Sequence, residues 1–109
     1  MAVLTAVQAG NSGTVATLAA ASVGGDKFDN PGDGRRFRVR NGSGSSITVT
    51  FTATQPAGCP AGTLHDLAVT VAAGVEKVLK LDPNRFNDGN GQVSVAYSSV
   101  TTVTVGVEI

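Results

Sequence analysis

The chain has no tryptophan, one tyrosine, one cysteine and one histidine, and its eight basic side chains are matched by eight acidic ones. Each shortage excludes something. One cysteine permits no internal disulfide, the staple on which many small secreted domains depend. One histidine with one cysteine cannot fill the three or four ligand positions of a zinc site. A balanced charge does not suit a protein that grips a nucleic-acid backbone, which calls for excess cations. The aromatics that would interleave with such cations for base stacking are missing too. Gln8, Gly10, Asn11, Ser12 and Gly13 interrupt the Ala-rich N-terminal stretch, and no Lys or Arg precedes Lys27. Neither a signal peptide nor a membrane span is therefore expected, and synthesis in a reducing cytoplasm is the simplest expectation.

What is abundant is Val, Thr and Gly. The 109 residues suit a single domain that can bury a core without metal or disulfide. β-Branched side chains lose little in an extended backbone and pack well on a pleated surface. Fourteen Gly and four Pro supply turns between short strands. The composition is that of an all-β chain.

The patterning agrees. Ile47, Val49 and Phe51 alternate with Thr48, Thr50 and Thr52, as on a sheet with one buried and one wet face. Phe37 and Val39 alternate with arginines between Arg36 and Arg40. Leu67, Val69 and Val71 form another row, and so do Val93, Val95 and Tyr97. Val103, Val105, Val107 and Ile109 form the last, so removing the final residues is expected to unfold the domain. A strand is expected over residues 75–81. Residues 24–34 read as turn chemistry around Phe28, and residues 82–91 as a polar loop pinned by Phe86. Asn41-Gly42-Ser43-Gly44-Ser45 reads as a turn of the hairpin kind. Residues 1–23 are small and weakly patterned. They predict an extended arm that orders against a neighbouring subunit, with residues 24–109 forming the folded body. The sum is about seven or eight short strands, which predicts an antiparallel β-sandwich of Greek-key or jelly-roll type.

No residue set carries chemistry. His65 with Asp66 could orient a general base, but no activated Ser or Cys stands near them, and a loop histidine before the following strand is the plainer reading. Cys59, between Gly58 and Pro60, has no neighbouring cation to lower its thiol pKa. Asp26, Asp29, Asn30 and Asp33 could be mistaken for calcium ligands, as could Asp82, Asn84, Asn87, Asp88 and Asn90. Neither group has the spacing of a calcium loop, and Asp and Asn are the expected residues of tight turns. No catalytic residue, metal or cofactor is expected. The one charge concentration is Arg35, Arg36, Arg38 and Arg40. The last three share a strand face, where they either dock on an acidic partner or form the solvated face of an edge strand kept from aggregating by charge.

Several stretches together resemble a family of small tailed-phage virion proteins that decorate or cement the capsid. They are Gly24-Gly25-Asp26-Lys27-Phe28, Phe37-Arg38-Val39-Arg40-Asn41-Gly42-Ser43, Ile47-Thr48-Val49-Thr50, Arg85-Phe86-Asn87-Asp88, and Val93-Ser94-Val95-Ala96-Tyr97-Ser98. The resemblance implies a β-sandwich held non-covalently on the outer capsid surface in many copies, with the major capsid protein as partner and no catalytic residues. It implies a homo-oligomer or symmetric array, made in the host cytoplasm, with no direct nucleic-acid or membrane contact. Under it, Val3, Val7, Val15 and Leu18 of the arm and Arg36, Arg38 and Arg40 of the stripe are the candidate partner-binding residues. A carbohydrate-binding sandwich module is the rival class, weakened because Tyr97 is the sole Tyr or Trp and shares the inward row of Val93 and Val95. Another small tail or vertex component of the virion is a third reading.

Overall fold

In the computed structural model, residues 2–4, 6–7, 18–31, 35–54 and 66–108 are described. The period-two rows fold as strands with one face inward. In β6 (Ile47–Phe51), Ile47, Val49 and Phe51 are buried while Thr48 and Thr50 stay half-open. In β10 (Val103–Glu108), Val103, Val105 and Val107 are buried in the same way. In β5 (Arg36–Asn41), Phe37, Val39 and Asn41 point inward and the arginines outward. The remaining strands are β1 (Ala2–Leu4), β2 (Ala6–Val7), β3 (Ala19–Ala20), β4 (Asp26–Asp29), β7 (Leu67–Val71), β8 (Glu76–Leu79) and β9 (Gln92–Tyr97), with one short helix, α1 (Pro83–Phe86).

These strands form two sheets. The first has the order β1-β4-β9-β6-β7, and the second β2-β10-β5-β8, with β3 also on β10. Their pairings are nested. β6 pairs with β7, β5 with β8, β4 with β9 and β3 with β10, each antiparallel. Among the described residues, β6 and β7 are the only consecutive strands bonded to each other. From β4 onward every other connection carries the chain from one sheet to the other.

The core lies between the sheets. All four phenylalanines of the chain form one contiguous file through it. Phe28 of the first sheet stacks on Phe37 of the second at 5.3 Å, Phe37 meets the edge of Phe51 at 5.5 Å, and Phe51 meets Phe86 of α1 at 6.3 Å. Such ring pairs contribute about 0.5–1.5 kcal/mol each beyond their burial. Val39, Val49, Val71, Val93, Val95, Val103, Val105 and Val107 fill the space around the file. The result is a compact, mostly β body with a radius of gyration of 13.8 Å.

Four local expectations are corrected. Residues 24–34 are not all turn, because Asp26–Asp29 is strand β4 with Phe28 fully inward. Residues 82–91 contain α1, started by Asp82, whose carboxylate accepts from the Asn84 N–H, and by Pro83 in the first turn, a position that suits proline's fixed φ. The strand expected over residues 75–81 is shorter, Glu76–Leu79. The turn after β5 does not make a hairpin. It turns a corner between sheets, and buried Asn41 sets it. The Asn41 amide donates to the carbonyls of Ser45 at 2.8 Å and Val71 at 3.0 Å, while its oxygen accepts from the Ser43 N–H and hydroxyl.

The N-terminal segment meets the body's own edges. β1 pairs in parallel with β4 of the first sheet, and β2 in parallel with β10 of the second. One residue separates the two, so this stretch links the sheets along one side. β2 shares its edge of β10 with β3, which pairs further along at Thr104 and Val105.

Candidate functional site

The arginine stripe lies on the outer face of the second sheet. Its strand is interior, bonded to β10 on one side and β8 on the other. This corrects the edge-strand reading of its charges. Arg38 is engaged on both flanks, 3.3 Å from Glu76 of β8 and 2.7 Å from Glu108 of β10. Opposite Arg38 on β10 stands Gly106, whose missing side chain leaves the path to Glu108 open. Arg36 and Arg40 stand at the two ends of the stripe and are exposed. The three therefore separate into one internal clamp and two outward cations.

Of the arm residues, Val3 is exposed in β1, and Leu18 is half-buried. Val7 sits in β2 opposite Glu108. Val15 lies outside the described residues, as do His65 and Cys59. Asp66 is described: its carboxylate accepts the Ala53 N–H at 2.9 Å, tying together the two ends of the long β6–β7 connection.

The acidic and amide loops gather at one end of the body and serve it structurally. Asn30 donates to the Leu81 carbonyl at 2.9 Å and exchanges hydrogen bonds with Asn87. Asp88 accepts the N–H groups of Asn90 and Gln92 and pairs with Lys27 at 3.6 Å. Those N–H donors hold its carboxyl below the usual carboxylate range, with Lys27 adding to the effect. Asp29 accepts from the Gln92 amide. Among the described residues no cluster of three His, Cys, Asp or Glu could hold a metal ion.

The feature that sequence reasoning missed is a buried acid–phenol pair. Asp26 is fully buried and its Oδ2 accepts the Tyr97 hydroxyl at 2.7 Å and the Ser22 N–H at 3.3 Å. The register explains the meeting. Asp26 lies opposite Val95 on the inward face, so Tyr97 is its diagonal neighbour one step along β9. The inward parity that Asp26 shares with Phe28 was the available signal. Burial, with the adjoining Asp26 carboxylate, pushes the Tyr97 phenol far above its usual range.

The outer face of the first sheet differs from the arginine face. Thr50 stands opposite both Ala68 and Ala96, and Thr48 opposite Thr70, giving a neutral surface of small side chains across β7, β6 and β9. The chain matches no known protein family, no curated protein and no solved structure.

Proposed function

We propose that this protein is a structural virion component that decorates or cements the outer surface of a tailed-phage capsid by non-covalent binding to the major capsid protein. The finer fold reading belongs with it: an antiparallel β-sandwich of the jelly-roll kind. The nested pairing carries that reading. A two-stranded ribbon closed at the β6–β7 connection and rolled on itself gives the pairs β6·β7, β5·β8, β4·β9 and β3·β10. Jelly rolls of this type recur in viral shell proteins and in lectins. The resemblance to phage decoration proteins over most of the chain from Gly24 onward selects the first of these. Further support comes from the polar groups of the body. The buried Asp26, Asn30 and Asn41, and Arg38 on the outer face, are each spent on holding the body together, which suits a protein whose work is binding and assembly.

Cementing needs a stable body that bridges neighbouring capsomers in many copies. Each bridge can be weak, because symmetric copies act together. The exposed Arg36 and Arg40, with Val3 of β1, are the contacts this reading assigns to the capsid, and the protein then forms a symmetric array in the virion after synthesis in the host cytoplasm. Mixing the purified protein with undecorated capsids and sedimenting them tests the proposal. Co-sedimentation that saturates at a fixed number of copies per capsid is expected. Protein that stays in the supernatant at micromolar concentration would overturn it. The lectin-like alternative has less support, since the Tyr97 hydroxyl is already bound to Asp26 and its ring is half-buried. A glycan array is expected to be blank.

A further inference from the structure

The edges of the two sheets are not equally defended. A strand at a sheet edge offers a row of unpaired backbone donors and acceptors, and proteins commonly blunt it with charge, shortness or an inward-pointing cation. β8, an edge of the second sheet, follows this rule. It has four residues, two of them Glu76 and Lys77, and Lys77 stands opposite the buried Val39, on the inward side of its strand. The strands β1, β2 and β3 are three residues long or fewer. β7, an edge of the first sheet, is different. It runs five residues as Leu-Ala-Val-Thr-Val, with no charge and no proline. Among the described residues no strand pairs with its outer side.

Its inward side chains point the same way. Val71 is buried, but Leu67 and Val69, which pack on the core, remain half-open. On interior β6, the directly opposite Phe51 and Val49 are fully covered. The openness of β7 is thus what an outer side left unpaired among the described residues gives.

The geometry points to a second copy of this chain as that neighbour, docked β7 to β7 in antiparallel fashion about a two-fold axis at Val69. The segment is self-complementary in this register. Val69 faces Val69 of the second copy, Leu67 faces Val71, and Ala68 faces Thr70, so the apolar inward row and the neutral outward row both continue across the axis. The same self-matching is what an isologous interface requires. No like charges meet. The pairing is smaller than a standard interface of roughly 1,600 Å² of total buried surface, so it forms a weak dimer in dilute solution and gains from crowding on a shared scaffold. The inference concerns the body alone and does not depend on what scaffold carries it.

Register-specific disulfide trapping tests it. In a Cys59→Ser background, Val69→Cys places two thiols directly opposite, with Cβ atoms about 4.5–5.5 Å apart. Leu67→Cys places its two thiols four residues out of register, about 13–14 Å apart along the strands. Val69→Cys is expected to form dimer at least about tenfold faster under mild oxidation, since only its geometry suits a disulfide. Equal rates at the two positions, or no dimer from Val69→Cys, would overturn the inference and leave the edge to a strand from another protein. A second arm guards against misfolding at the half-buried Val69. Ala68→Cys and Thr70→Cys are both exposed, and a mixture of the two is expected to cross-link faster than either protein alone. A mixture no faster than its components would count against the proposed register and overturn it.

Discussion

Tyr97 donates its phenolic proton to Oδ2 of Asp26 across 71 residues of sequence, at 2.7 Å and on the inward face of the first sheet. The other carboxylate oxygen of Asp26 is buried with no hydrogen-bond partner among the described residues. The carboxylate thus rests on one strong hydroxyl donor and one long bond from the Ser22 N–H. An acid buried on so few donors is costly to leave any less satisfied.

Replacing Tyr97 with Phe keeps the ring and removes that donor. The expected loss is about 1–3 kcal/mol, read as a lower urea midpoint at unchanged m-value. A Tyr97→Phe protein as stable as the parent would show that the hydroxyl contributes nothing net. The alkaline limb gives a second reading. The folded phenol is raised above its ordinary value of 10.0, so the proton is held more tightly in the folded state. Its stability contribution is whole below about pH 10 and is lost as pH climbs beyond that. Because this is the only tyrosine, tyrosinate absorbance reports on it alone. The absorbance is expected to rise together with loss of the β circular-dichroism signal, not before it.

Asn41 is the hub of two corners. Its side chain closes the turn from β5 to β6 and reaches the Val71 carbonyl at the end of β7. Its backbone pairs with Gly74 and Val75 in the turn that leads to β8. Asn41→Ala removes the side-chain bonds and leaves a buried carbonyl without its donor. A loss of about 2–4 kcal/mol is expected, since more than one buried partner is stranded. Chemical denaturation measures it. A loss below about 1 kcal/mol, the net worth of a single ordinary hydrogen bond, would mean that the corners hold themselves.

The fate of Asn41 also shows which parts of this fold were legible in the sequence. The rows Ile47-Val49-Phe51 and Val103-Val105-Val107 were readable, because a sheet with one buried face imposes an alternation that needs no partner to be seen. The sheet to which each strand belongs was not. Asn41-Gly42-Ser43-Gly44-Ser45 has a composition that serves a hairpin or a corner equally well. The contact that decides, Asn41 to Val71, is made 30 residues away. β4 was hidden because an acidic residue opens its inward row, and Asp26 becomes intelligible only beside Tyr97. α1 carries a readable start in Asp82-Pro83, yet four residues are too few to display a helical period. For the stripe, the face was legible and the pairing was not. Glu76 and Glu108 reach Arg38 from strands that only the topology makes its neighbours.

Two glycines with similar backbone torsions separate strain from crowding. Gly25 has φ of +90° and Gly74 has φ of +74°. A Cβ at Gly25 would stand 2.5 Å from the Val95 carbonyl oxygen, whereas one at Gly74 would meet nothing within 4 Å. Gly74→Ala is expected to cost about 1 kcal/mol, the penalty of a left-handed alanine. Gly25→Ala adds a backbone collision between the turn and β9, and a loss of more than about 3 kcal/mol is expected because the rigid strand cannot yield cheaply. Equal losses in thermal denaturation would mean that the turn before β4 shifts freely.

The three arginines should divide by function as they divide by geometry. Arg38 lies between Glu76 and Glu108, and removing it leaves two carboxylates facing the same emptied strip of sheet. All three side chains are partly open to solvent, so each ion pair is worth at most about 1 kcal/mol. Arg38→Met is accordingly expected to lower stability by about 1–2 kcal/mol, with part of the loss screened by salt. Arg36→Ser with Arg40→Ser breaks no ion pair seen among the described residues, and should change stability by less than about 0.5 kcal/mol per site. If these two cations meet an acidic capsid surface, the double variant should bind undecorated capsids more weakly, and the parent's binding should weaken as salt is raised. Arg38→Met should bind with nearly parental affinity once folded. Stability that falls equally in both variants would remove the distinction between clamp and contact. Capsid binding that is unchanged in the double variant would assign Arg36 and Arg40 to solvent and move the docking surface to another face of the body.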